Sequence, residues 1–383
     1  MRLAHLATVA AVGAAIACAS ADDGSSSEAL SAHDHDAVEA TNTFVNLFFD
    51  TSSDNLRDSH PFQGAWAMPG NYWKYAQGFD AVLDSVERSQ GSEFEIHAQQ
   101  LFKGWHDWPG QMKRSWFDDE NWVALALLHA HRVMKHPNGD YRDLASATYD
   151  DIWARGATHD AHGNFTGIYE SIAPGSAFYT KAAVSNFGPA ITAARLGHVT
   201  EAREIYGWAR QHLSDPTTGE VYDHVEPNGD VVKWHYTYCF GVAIGAALEL
   251  YQTTHETQFR DDAYAYAGYM VEHLVTQWKG KAILYDGCEA RCETERCDCS
   301  TFKGIGYRYL AMLYGSKIGA SEHPTETQRI HDVLAASVEA LRSARSPSGT
   351  YPSDWGGGWR SFSSLGSEAS AVMTLNIAVE HGM

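Results

Sequence analysis

From about residue 71 onward the chain alternates between two kinds of helical segment. One kind is apolar on nearly every face: the stretches from Asp118 to Met134, Ala182 to Leu196, Tyr236 to Tyr251, Phe302 to Tyr314, and Ser363 to Val379. The other carries one apolar face: Tyr141 to Ala154, Glu201 to Leu213, Gln258 to Val275, and Thr325 to Arg342. Asn71 to Glu87 has Tyr72, Tyr75, Ala76, Phe79, Val82 and Leu83 at helical spacing, and Gln99 to Asp107 is a weaker segment. A helix apolar all round must be buried, whereas a one-sided helix lies outside with its polar face to water. Repeated at roughly 45–65 residues, six such pairs can close into a double ring of helices. The expected fold class is therefore all-α, an (α/α)6 barrel of alternating inner and outer helices. Long connections rich in Gly, Trp and Asp, at 157–177, 215–234 and 283–301, are where a site on such a scaffold belongs. A small β-hairpin, Gly219 to Asp223 with Asp230 to Lys233 around the Pro227–Asp230 turn, is expected as decoration at the mouth. A further turn is expected at Pro137.

Composition narrows the partners. The formal net charge of -20 over 383 residues argues against nucleic acid, which needs a basic stripe, and against a polybasic membrane contact. Residues 1–21 read as a secretory signal, with Arg2, the apolar run from Leu6 to Ala17, and Ala19-Ser20-Ala21 as a small-residue cleavage site. Residues 22–60 read as a flexible segment and lead-in, and 61–383 as one domain. Neither a membrane span nor a lipid-anchor tail is evident, so the chain is expected to be secreted, extracellular or cell-wall associated, and monomeric. Outside the signal stand Cys239, Cys288, Cys292, Cys297 and Cys299. In a secreted chain these suggest two disulfides and one free thiol, Cys239. Their spacing does not match paired zinc knuckles, and the pairing is open at this stage.

Chemistry concentrates at Trp116-Phe117-Asp118-Asp119-Glu120-Asn121-Trp122. Three carboxylates open a helix that must be buried, so its partial positive end points at them. Helix capping alone explains an acidic first turn. A pair of carboxyl groups at a buried, aromatic-lined mouth also suits acid/base work on a sugar.

Motifs along the chain carry a resemblance. They are Tyr72-Trp73-Lys74-Tyr75-Ala76-Gln77, then Phe117 to Trp122, Lys181, Ser185-Asn186, and Trp234-His235-Tyr236-Thr237-Tyr238 followed by Gly241 to Ala246. Cys288-Glu289 to Cys299, Phe302-Lys303-Gly304-Ile305 and Asp354-Trp355 complete the set. In this order they resemble glycoside hydrolase family 76, the endo-α-1,6-mannanases and related fungal cell-wall proteins, over about residues 65–380. The resemblance implies an (α/α)6 barrel, a retaining mechanism, no metal and no cofactor, and a polysaccharide substrate, α-1,6-mannan. It also implies Asp118 as nucleophile and Asp119 as general acid/base. A retaining pair needs its carboxyl groups about 5–5.5 Å apart, within reach of chain neighbours whose side chains diverge. Cys239-Phe240 stands where the family has Asn-Gln, and Val123 where it has a second Trp.

Candidate substrate-binding residues are Trp122, Asn186, Tyr236, Tyr238, Lys303 and Trp355, the last with Trp359 in a glycine-rich loop suited to sugar stacking. For each, core packing or local structure is the competing role. His129 and His131 lie two apart and share no helix face, so they are expected to be core or rim residues rather than metal ligands. Asn164-Phe165-Thr166 is a glycosylation sequon. The expected function is cleavage of internal α-1,6-mannosidic linkages through a covalent glycosyl-enzyme. The alternatives are transglycosylation on the same fold and non-catalytic mannan binding.

Overall fold

The computed structural model describes residues 24–91, 94–108, 115–135, 140–173, 179–293 and 297–383. The expected signal with Cys18, and the turn at residues 137–139, lie outside these. Among the described residues twelve α-helices run in order: α1 Gly24–Phe48, α2 Tyr72–Arg88, α3 Glu95–His106, α4 Phe117–Val133, α5 Tyr141–Gly156, α6 Ala183–Leu196, α7 Val199–His212, α8 Thr237–Thr254, α9 Thr257–His273, α10 Cys299–Ser316, α11 Pro324–Ser343 and α12 Leu365–Glu380. The even-numbered helices form a closed inner ring in which α2, α4, α6, α8, α10 and α12 each pack on the next, and α12 returns to α2. The others pack outside, α3 on α2, α5 on α4, α7 on α6, α9 on α8, α11 on α10, and α1 on α12. The chain is thus an (α/α)6 barrel, with the inner helices buried almost throughout. Among the described residues no helix is long and apolar enough to cross a membrane.

Two expectations are corrected. The segment expected as a flexible lead-in carries α1, the sixth outer helix. Ala37, Ala40, Thr41, Phe44 and Phe48 recur at helical spacing and are wholly buried, and Asn376 of α12 donates to Thr41 Oγ1. The Ser, Asp and His residues before this stripe masked it. The hairpin also divides differently. His224–Val225 pairs with Val231–Val232 as expected for strands flanking that turn, but Glu220–Val221 pairs backward with Ser214–Asp215. His224–Val225 pairs as well with Lys181–Ala182, tying the hairpin to the start of α6.

The inner ring closes tightly because small residues stand at helix crossings. A Cβ added at Gly304 of α10 would lie 2.6 Å from the Ser370 Cα of α12. At the C-terminal end of the ring the interior is polar. Arg308 of α10 grips Asp84 of α2 with two hydrogen bonds of 2.8 and 2.7 Å and lies 3.0 Å from Asp80. His129 of α4 bonds Asp80 at 2.7 Å and Glu87 at 3.0 Å, and Arg132 also pairs with Glu87. α2 and α10 are not neighbours in the ring, so this network ties the barrel across its interior. His129 is a partnered core residue, and His131 is exposed.

Glu368, in the first turn of α12, is wholly buried. It accepts from the Tyr351 N–H at 3.0 Å and the Ser363 hydroxyl at 3.1 Å, with its other oxygen unpartnered among the described residues. Burial pushes its carboxyl up to about 8 from 4.5. Across that window the folded state holds a proton that the unfolded chain has released, so stability falls as pH rises. Glu368→Gln is expected to flatten that fall. Its melting temperature should exceed that of the wild type at pH 8 and match it near pH 5, as read by calorimetry.

Candidate active site

The N-terminal ends of the inner helices surround a cleft of about 660 Å³. Trp116 precedes α4 in extended conformation and bridges to Ser171, while the Phe117 N–H donates to the Glu170 carbonyl at 2.9 Å. The loop before α6 thereby clamps the start of α4. The acidic triplet then divides by helical rotation, since residues two apart point to opposite sides. Asp118 and Asp119 line the cleft. Glu120 turns away from the cleft toward the outer helix α5, fully buried, and accepts from Arg155 at 2.9 and 3.2 Å. That guanidinium lies 5.0 Å over the Phe117 ring.

Asp118 keeps part of its surface on the cleft, but its Oδ1 is shut from water and has no hydrogen-bond partner among the described residues. Burial, then the charges of Asp119 and Glu170, pushes its carboxyl well above the usual carboxylate range. Glu170 lines the same cleft and accepts from the Thr180 hydroxyl at 2.6 Å; burial raises it too, over the opposing effect of that bond. Two close carboxyl groups in such a site share protons as a unit. One ionised and one protonated member is the state that acid-assisted nucleophilic displacement requires.

Trp122 and Tyr238 join the aspartates in the cleft lining. Tyr238 stacks on Phe302 at 4.0 Å with the rings nearly parallel, and Tyr236 lies tilted on Phe302 at 5.3 Å without lining the cleft. Three other candidates sit elsewhere. Asn186 is buried, accepting from the Ile168 N–H at 2.8 Å and donating to the Ile168 and Ala182 carbonyls, which satisfies otherwise unmet backbone groups. Lys303 is buried against Glu289 at 2.8 Å and the Ser353 carbonyl at 2.6 Å. Trp355 is 1% exposed, with the Lys303 ammonium 5.0 Å over its ring. The glycine-rich loop instead exposes Trp359, by 53%. Cys239 and Phe240 are both fully buried, so these two positions lie inside the wall and not on the cleft. Among the described residues Cys239 is the free thiol, and the disulfides are Cys288–Cys299 and Cys292–Cys297.

Sequence reasoning missed Asn71, Tyr72, Trp73, Glu170, Asp298 and Phe302 as cleft residues. Glu170 and Asp298 do lie in two of the long loops expected to carry a site. Among the described lining residues there is no Lys, Arg or His, while four carboxylates, Asp118, Asp119, Glu170 and Asp298, face the cavity. Together with Trp73, Trp116 and Trp122, this is an anionic, aromatic groove.

A family model described as glycosyl hydrolase family 76 matches residues 34–381. No curated protein sequence matches at a significant level. Among solved structures, the α-1,6-mannanase GH76A of Salegentibacter sp. HEL1_6 is similar with a TM-score of 0.77 at 23% identity, over 91% of this chain and 99% of that one. It was solved with α-1,6-mannotriose in an inactive variant carrying two adjacent Asp-to-Asn substitutions. A family 76 mannosidase of Bacteroides thetaiotaomicron gives 0.74 at 19% identity, covering 91% and 98%. Dfg5 from Chaetomium thermophilum, in complex with glucosamine, gives 0.68 at 18% identity, covering 93% and 90%.

Proposed function

The chain belongs to glycosyl hydrolase family 76, and from that premise we propose that it is a secreted retaining glycosidase that cleaves internal α-1,6-mannosidic linkages. The observation that carries this reading is the pair Asp118 and Asp119 at the N-terminus of a buried inner helix, both lining an aromatic cleft. The mannanase that resembles this fold was inactivated at two adjacent aspartates, which supports the same pairing here.

In the proposed mechanism Asp118 attacks the anomeric carbon and Asp119 protonates the departing glycosidic oxygen. Water, deprotonated by Asp119, then opens the glycosyl-enzyme, and two inversions restore the α configuration. The helix N-terminus favours the ionised form of Asp118 once a substrate hydroxyl or oxocarbenium centre reaches its unpartnered oxygen. Trp73 and Trp116, both partly exposed on the cleft, supply faces for pyranose rings. Phe302 and Tyr238 form a rigid stacked wall beside them.

The test is incubation of the secreted protein with linear α-1,6-mannan, followed by NMR of the products. Short oligomannosides released first in the α form are expected. Products longer than the donor would assign the glycosyl-enzyme to transglycosylation. β-configured first products would overturn the retaining assignment.

A further inference from the structure

Asp298 immediately precedes α10 and lines the cleft. An aspartate in that position ordinarily turns its carboxylate onto the free N–H groups of the first helical turn. Asp298 makes no such bond, and the Thr301 N–H donates to its backbone carbonyl at 2.9 Å instead. Its carboxylate Oδ1 lies 3.2 Å from the ammonium of Lys74 on α2. The Lys74 side chain is 3% exposed and that of Asp298 is 65% exposed. A buried lysine that served stability alone would be matched with a buried carboxylate, because the desolvation of its charge is offset only by a partner in the same low-dielectric surroundings. Here it is matched with a carboxylate open to the cleft.

Other contacts fix the same point. The Lys74 ammonium also donates to the Cys297 carbonyl at 3.1 Å and lies 5.7 Å from the centre of the Trp73 ring. The disulfides Cys288–Cys299 and Cys292–Cys297 hold the loop that delivers Asp298. Cys292, Cys299 and Phe302 form a small buried cluster against Trp73, Tyr236 and Tyr238. Asp298 Oδ2 has no hydrogen-bond partner among the described residues. In the ring order α2, α4, α6, α8, α10, α12, the helix α10 stands diametrically across from α4. Asp298 therefore lies on the wall opposite Asp118 and Asp119.

We propose that Asp298 is a substrate-gripping residue: its free Oδ2 accepts a hydroxyl hydrogen bond from a neutral hexose unit lying across the cleft. Lys74 is its positioning residue, and the two disulfides are the frame that keeps the pair in place. Hydrogen bonds to an ionised acceptor are the stronger kind, and an acceptor already fixed loses little freedom when sugar arrives.

This inference rests on the carbohydrate reading of the cleft, so two measurements separate their failures. On linear α-1,6-mannan, Asp298→Ala is expected to raise KM about tenfold while kcat stays within about twofold, the signature of a lost binding contact. Lys74→Met should give the same split, Lys74→Arg should recover most of it, and Lys74→Met with Asp298→Ala together should be no worse than either alone. An unchanged KM for Asp298→Ala, or a fall in kcat with KM constant, overturns the inference. Asp298 is largely exposed and Lys74 keeps its bond to the Cys297 carbonyl, so Asp298→Ala is expected to fold even where Lys74→Met does not. The second measurement is calorimetric titration of α-1,6-mannotriose into wild type and Asp298→Ala, which needs no turnover. About tenfold weaker binding by the variant supports the inference. Equal binding removes it and leaves the carbohydrate reading standing, and no binding by wild type removes both.

Discussion

Asp118→Asn is expected to abolish cleavage of α-1,6-mannan, and Asp119→Ala to slow it by about 10²- to 10⁴-fold, the usual contribution of a positioned general acid. The two losses should differ in kind. An aryl mannoside with a good leaving group needs no protonation, so Asp119→Ala should retain its first step on that substrate and accumulate the glycosyl-enzyme. Asp118→Asn should remain inactive on it. Mass spectrometry of the trapped protein reads the difference directly. Equal activity of either variant with wild type on mannan would sink the assignment. Glu170→Gln belongs in the same experiment. Asp118 is raised by burial and then by the charges of Asp119 and Glu170. Removing one of those charges lowers the pH at which Asp118 ionises, so the acidic limb of kcat/KM should move to lower pH. A limb that moves upward, or does not move, would contradict the proximity of Glu170 to the reacting pair.

The second large effect lies at the other end of the barrel and concerns stability. Arg308→Met would leave Asp84, 2% exposed at its side chain, and Asp80 facing each other without their shared cation. Breaking a buried pair from one side costs about 3–5 kcal/mol, because the remaining charge is uncompensated. Arg308 ties α10 to α2 across the ring interior, so the loss should appear as a lower denaturant midpoint for the whole barrel. A double replacement, Arg308→Met with Asp84→Leu, removes the orphaned charge and should recover part of that loss. If Arg308→Met unfolds at the wild-type midpoint, the network is dispensable.

The alternation of wholly apolar and one-sided helices suffices to predict the barrel, because burial demand depends on local sequence pattern. It also places Asp118 and Asp119 at an inner-helix mouth, since an acidic run before a buried helix has few other places to go. Trp122 and Tyr238 are legible for the same reason. The sixth outer helix was missed because its buried stripe, Ala37 to Phe48, follows a polar stretch typical of disorder. The tertiary structure alone decides between residues of identical local character. Lys74 and Lys303 both stand near the starts of inner helices. One reaches a carboxylate open to the cleft and the other a buried one, Glu289, because the loops that meet them fold differently. Trp355 is packed away while Trp359, four residues on, is exposed. Glu170 and Asp298 become cleft residues only when long connections fold back over the helix ends. Local pattern specifies which faces must be buried, and long-range loop packing determines which polar atoms remain open to a ligand.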